Sequence, residues 1–224
     1  MDGGPRVGVF GGTFDPPHRG HAVVAAEVAD VVGLDRVLWV PASTPPHKTG
    51  WPVTSAEVRS RMVSATIRND PRFELCELEL ERGGVSYTVD TLRALKAAHP
   101  DWSLMLVIGD DLLAGFSRWR EPDAILELAE VVAISRAGAA KGGLSDEVDF
   151  PVRIVSVTPV DVSSTRIRER VRLGKSVRAM VVTRVMSIIE SERLYQAHRP
   201  RSGGEPRKPE EAETFVPGGI RTAE

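Results

Sequence analysis

At 224 residues, the chain is long enough for one α/β domain with a substantial core, and two full domains would be crowded. A composition of 42% hydrophobic and 27% charged residues is that of an ordinary globular protein, and a formal net charge of −2 argues against a dedicated nucleic-acid binder, which needs a basic surplus. One cysteine, Cys76, rules out an internal disulfide and fits a reducing compartment.

The opening Met1-Asp2-Gly3-Gly4-Pro5 has no signal-peptide pattern. The longest apolar stretch, Ala22–Leu34, is broken by Glu27 and Asp30 and is too short to span a bilayer. No membrane partner is expected, and the cytoplasm is the expected location.

Val7–Phe10 is a short apolar run that ends in Gly11-Gly12, which describes a buried strand over Arg6–Phe10 and a tight turn. Asp15 is placed as N-cap, with Pro16 in the first turn of a helix over His18–Val32. Arg36–Val40 reads as a second strand. Thr54–Glu57 has the spacing of a capping box and opens a helix over Ser55–Asn69. Phe73–Leu80 follows as a strand, with Cys76 as a structural thiol, and Tyr87–His99 as a helix. Leu104–Ile108 is a strand, then Asp110–Phe116 and Asp123–Leu128 are helical. Val131–Ser135 and Arg153–Val157 are the last strands, on either side of a loop over 137–150. Ser164–Leu173 is helical, and Val177–Tyr195 reads as a final helical layer. One domain over 1–198 is expected, with its C-terminal helical layer at about 163–196. Residues 199–224, without periodicity, are expected to form a disordered tail.

The strands are apolar almost throughout, as strands covered on both faces should be. Alternation with helices predicts an α/β fold: a Rossmann-like, doubly wound, mostly parallel sheet with right-handed crossovers and helices on both faces. Ligands of such sheets bind beyond the carboxyl ends of the strands, where Gly11, Pro41, Gly109 and Arg136 should converge.

His18 and His21 stand three apart at the first helix start, so they share a face beside unpaired N–H groups and the positive end of the helix dipole. This is a site for phosphate, whose charge favours protonated imidazole. The Arg166, Arg168, Arg170 and Arg172 series crowds the start of a later helix, where cations oppose the dipole unless an anion sits there.

The string Gly11-Gly12-Thr13-Phe14-Asp15-Pro16-Pro17-His18-Arg19-Gly20-His21 resembles the signature of the nucleotidyltransferase superfamily. Four further segments resemble the bacterial nicotinate-mononucleotide adenylyltransferases: Pro45-Pro46-His47-Lys48; Ser86-Tyr87-Thr88 with Thr91-Leu92; Ile108-Gly109-Asp110-Asp111 running to Trp119; and Val162-Ser163-Ser164-Thr165-Arg166-Ile167-Arg168. The resemblance covers about residues 6–195. It implies transfer of AMP from ATP to nicotinate mononucleotide, giving nicotinate adenine dinucleotide and pyrophosphate in NAD biosynthesis.

By the same resemblance His18 and His21 are the catalytic pair. Gly11, Gly12, Thr13, Phe14, Gly20, Gly109, Asp111, Arg136, Ser164, Thr165 and Arg168 hold ATP, with Asp111 accepting from a ribose hydroxyl and Arg168 gripping the β- and γ-phosphates. Lys48 reaches the acceptor phosphate, Thr88 lies in the region whose backbone amides read its carboxylate, and Trp119 stacks on its pyridine ring. Mg²⁺ travels with the triphosphate, held by phosphate oxygens and water rather than by protein ligands. Another phosphorylated acceptor (nicotinamide mononucleotide or phosphopantetheine) and a non-catalytic nucleotide sensor are the alternatives. Val181-Val182-Thr183-Arg184-Val185 departs from the family's Val-Pro-x-x-Val pattern, which touches packing or assembly, and a homo-oligomer is possible.

Overall fold

The computed structural model describes residues 4–44, 53–136 and 148–196. Six strands form one parallel sheet: β1 (Arg6–Gly12), β2 (Arg36–Pro41), β3 (Phe73–Leu75), β4 (Ser103–Gly109), β5 (Ala129–Arg136) and β6 (Val152–Val157). Their order is β3-β2-β1-β4-β5-β6, the doubly wound arrangement in which the chain reverses direction between β1 and β4. The carboxyl ends of β1, at Gly11-Gly12, and of β4, at Gly109, therefore flank the crevice where such sheets bind ligands.

Strand side chains alternate between two cores, as a period of two requires. Phe10, Trp39, Val107 and Val132 face α1 (Arg19–Val32) and α2 (Ala56–Ile67). Val9, Leu38, Leu106 and Val131 face α4 (Thr88–Ala98), a 3-10 helix over Asp110–Arg118 and α5 (Pro122–Leu128). A third apolar cluster joins Met62 of α2 to Ile167 of α6 (Ser164–Arg172), to Val177 and Val181, and to Val185 and Ile189 of α7 (Thr183–Ser191). Among the described residues no helix is long and apolar enough to cross a membrane.

Several local expectations are corrected. The third strand stops at Leu75, and Leu78–Arg82 is a short helix, α3; Glu79, Glu81 and Arg82 are poor strand formers. The N-cap of α2 is Ser55, whose Oγ accepts from the Val58 amide, not Thr54. Asp110–Phe116 is a 3-10 turn that continues to Arg118. Val177–Tyr195 is helical only over Thr183–Ser191, preceded by a turn that buries Val177 and Val181. The expected tail and most of the 137–150 loop lie outside the described residues.

Candidate active site

The N-cap of α1 is His18 (φ −143°, ψ 170°), not Asp15. The His21 amide donates to His18 Nδ1 at 3.3 Å and the His18 amide donates to His21 Nδ1 at 3.2 Å, a capping box built from two imidazoles. Their rings stack with centroids 3.6 Å apart. An Nδ1 that accepts carries no proton, so hydrogen-bond geometry assigns both rings the tautomer with N–H at Nε2. A Cβ on Gly20 would stand 3.0 Å from His18 Nδ1, so a larger residue there would press on that ring.

Aromatic rings fix His21 from behind. Its centroid lies 5.1 Å from Phe14 and 6.1 Å from Phe10, both edge-on. Phe14 is 2% exposed and belongs to the core, so its link to ATP, if made, runs through the backbone. It takes a left-handed φ of 49°, a conformation that costs a residue with a Cβ roughly 1–2 kcal/mol.

Beneath this loop is a polar network that short-range reading missed. Asp15, 5% exposed, accepts from the Tyr195 hydroxyl at Oδ1 and from the Thr54 amide at Oδ2. Burial, then the Asp15 charge and its hydrogen bond, push the Tyr195 phenol well above its usual range. Arg59, 1% exposed, donates to the carbonyls of Thr13, Ala42, Ser43 and Thr54. Burial lowers its pKa, with Asp15 and Tyr195 acting against the shift; an arginine stays charged regardless. A sequence signal existed for it: Arg59, Met62, Val63, Thr66 and Ile67 are all buried on α2, at the 3–4 spacing of one helix face.

The start of α6 docks on the same loop. Ser164 Oγ donates to the Pro16 carbonyl at 2.8 Å, and Arg168 Nη1 donates to the Asp15 carbonyl at 2.8 Å. Arg168 Nη2 also donates to Thr165 Oγ1. The arginine crowding is resolved otherwise than expected. Arg166 pairs with Asp161 at 2.6 Å, while Arg170 and Arg172 stand in the last turn, where cations suit the dipole.

Two adjacent cavities open beyond the strand ends. One, of about 230 Å³, runs past Gly11, Gly12, Thr13 and Gly109. The other, of about 550 Å³, is lined by Tyr87, Asp111, Arg118 and Arg120 among others. Ser86, Thr88, Leu112 and Trp119 line both. Trp119 is half-buried, its ring 5.3 Å from Phe116, and Arg120 lies 4.7 Å over the Tyr87 ring. Asp111 folds over Gly109, where a Cβ would stand 2.2 Å from its Oδ1. Buried Glu79 accepts from Thr91 Oγ1 at 2.7 Å and lines the smaller cavity. Lys48 and the Arg136 side chain lie outside the described residues. A larger groove of about 840 Å³, between α2 and α7, contains none of the expected site residues.

A family model described as cytidylyltransferase-like matches residues 9–170. Proteins of Salinibacter ruber, Shouchella clausii and Thermus thermophilus, each named "Probable nicotinate-nucleotide adenylyltransferase", are 40%, 43% and 42% identical to the chain. Each match covers 85% of this chain and, respectively, 97%, 96% and 100% of the relative. The nicotinic acid mononucleotide adenylyltransferase of Plasmodium falciparum, solved in complex with NaAD, is similar with a TM-score of 0.72 over 85% of this chain and 97% of that one. At 18% identity that likeness speaks for the fold alone. The chain belongs to the cytidylyltransferase-like family and, within it, to the nicotinate-nucleotide adenylyltransferases.

Proposed function

We propose that the protein transfers AMP from ATP to nicotinate mononucleotide, forming nicotinate adenine dinucleotide and pyrophosphate. The observation that carries this reading is the adjacency of the two cavities, which share Ser86, Thr88, Leu112 and Trp119: the smaller runs past Gly11, Gly12 and Thr13, the turn that leads to the histidine cap, and the larger is walled by Trp119 and Thr88. A phosphate donor and a flat, carboxylated acceptor can then meet without leaving the cleft.

The 5′-phosphate oxygen of the acceptor attacks the α-phosphorus of ATP in line. The bond from that phosphorus to the bridging oxygen breaks, and pyrophosphate leaves with the electron pair. No protein nucleophile is used, so catalysis rests on positioning and on absorbing charge. His18 and His21 donate Nε2–H to phosphate oxygens, and their capped Nδ1 atoms fix where those donors point. Arg168, with Ser164 and Thr165, meets the β- and γ-phosphates, Lys48 the acceptor phosphate, and Asp111 a ribose hydroxyl. Preorganised donors of this type need little reorganisation as charge develops.

A Mg²⁺ ion brought by ATP suits this donor set. Among the described residues there is no group of three or more His, Cys, Asp or Glu side chains that could hold a metal, and Arg118 and Arg120 line the larger cavity. Such an ion, held by phosphate oxygens and water, would neutralise charge on the leaving pyrophosphate. The lone cysteine accords with a cytoplasmic location.

The test is pyrophosphate release with ATP against nicotinate mononucleotide, nicotinamide mononucleotide and phosphopantetheine. Nicotinate mononucleotide should have the highest kcat/KM. A faster reaction with phosphopantetheine would overturn the assignment of Trp119 and Thr88.

A further inference from the structure

Arg59 has the lowest exposure of any charged residue described, 1%, yet none of its four hydrogen bonds goes to a carboxylate. Nε donates to Thr54 O at 2.9 Å, Nη1 to Thr13 O at 3.0 Å and Ala42 O at 2.7 Å, and Nη2 to Ser43 O at 3.3 Å. Burying a charge with no carboxylate hydrogen-bonded to it is costly, and the nearby Asp15 charge offsets only part of the burial, so the gain lies in what those carbonyls do.

They come from three separate segments: the turn after β1, the exit of β2 and the entry to α2. Thr13 and Ala42 also line the phosphate end of the cleft. Carbonyl oxygens turned into that cleft would repel a triphosphate; left buried without donors they would be unsatisfied. The fork of an arginine offers several donors in one plane, which no other side chain does.

We propose that Arg59 is a positioning residue for the adenylyl transfer: it gathers the carbonyls of the phosphate-cleft walls from the inside and keeps them turned away from ATP. The same brace reaches the acceptor side, because the Ser43 amide donates to Ser86 Oγ at 2.9 Å and Ser86 lines both cavities. This inference rests on the proposed function, since it assigns ATP to that cleft.

The test compares Arg59→Lys with Met62→Ala, a fully buried neighbour on α2 that packs in the third cluster away from the cleft. Binding of α,β-methylene-ATP is measured by calorimetry and turnover by dinucleotide formation, at a temperature where circular dichroism shows both variants folded. Arg59→Lys keeps the charge but not the fork, and kcat/KM for ATP should fall about 100-fold, the scale of an ångström of misplacement. Met62→Ala, with a comparable drop in Tm, should stay within about threefold of wild type, the small change expected when machinery away from the chemistry is left in place. Equal losses in the two variants, or an Arg59→Lys enzyme as fast as wild type, would overturn the inference alone. A wild type that does not bind the analogue would sink it together with the functional reading. Should Arg59→Lys not fold, hydrogen exchange on the wild type decides. The analogue should slow exchange at residues 11–14 and 42–44 together, and protection of 11–14 alone would refute the brace.

Discussion

His21 serves two purposes through two ring nitrogens, and paired substitutions separate them. Nδ1 accepts from the His18 amide, a cap of the type whose loss costs about 0.5–2 kcal/mol; the ring also meets Phe14 edge-on, a contact of about 0.5–1.5 kcal/mol. Together the two losses amount to roughly 1–3.5 kcal/mol for His21→Ala, and each 1 kcal/mol lowers Tm by about 2–4 °C in a chain of this size. His21→Asn can place an amide oxygen near the Nδ1 position and keep the cap, but it has no donor at the distance of Nε2. His21→Gln places an amide donor near Nε2 and loses the cap. Removing one preorganised donor to developing charge costs about 100- to 1000-fold in kcat. Dinucleotide formation should therefore collapse in the asparagine variant, which gives up only the ring contact's share of Tm, whereas the glutamine variant keeps more turnover but loses the cap as well and melts earlier. An asparagine enzyme within about tenfold of wild-type kcat, well short of that loss, would refute the assignment of Nε2 as the working donor.

Trp119→Ala should raise the KM for nicotinate mononucleotide about tenfold or more, the scale of base–aromatic stacking, and leave ATP binding largely intact; an unchanged acceptor KM removes the ring from the site. Tyr195 supplies a pH signature. Its folded pKa lies above the ordinary 10.0, so the folded state holds the phenolic proton more tightly than the unfolded one. That stability is fully present below pH 10 and is lost as pH rises towards the folded value. Denaturant titrations from pH 8 to 11 should show a steeper alkaline loss in wild type than in Tyr195→Phe, and parallel curves would contradict the Asp15–Tyr195 bond. Burial is the largest influence raising the Cys76 thiol pKa, with nearby Glu79, Glu81 and Glu77 adding to it. An aromatic disulfide reagent at pH 8 should accordingly label native protein far more slowly than unfolded protein; equal rates would show an open thiolate.

What the sequence disclosed and what it hid divide by distance along the chain. The continuous apolar runs of β1, β2, β4 and β5, alternating with helical segments, are a local signal, and the doubly wound sheet follows from them. The placing of Gly11, Pro41 and Gly109 along one edge follows in turn, because the carboxyl ends of parallel strands share an edge; Thr88 and Trp119 lie on other elements, which the strand pattern does not place. The start of α1 was misplaced for a non-local reason. Asp15 is a good cap by type, but its carboxylate is drawn to Tyr195, 180 residues away, and an imidazole takes the cap instead. Arg59 stood on the apolar face of α2 as a visible anomaly. Its meaning depended on four carbonyls that converge only in the folded chain. The expected helix, Ser164–Leu173, already put Arg170 and Arg172 in its last turn, as the structure does over Ser164–Arg172, so only Arg166 and Arg168 stand near its start.

Ring-nitrogen resonances of histidine, labelled with nitrogen-15 and recorded with and without α,β-methylene-ATP, probe the seat of the triphosphate most directly. The account predicts that Nε2 of His18 and His21 shifts on binding, that both Nδ1 signals remain those of acceptors, and that His99, stacked on Trp102, does not respond. Shifts confined to other histidines, or proton-bearing Nδ1 atoms in the complex, would contradict it.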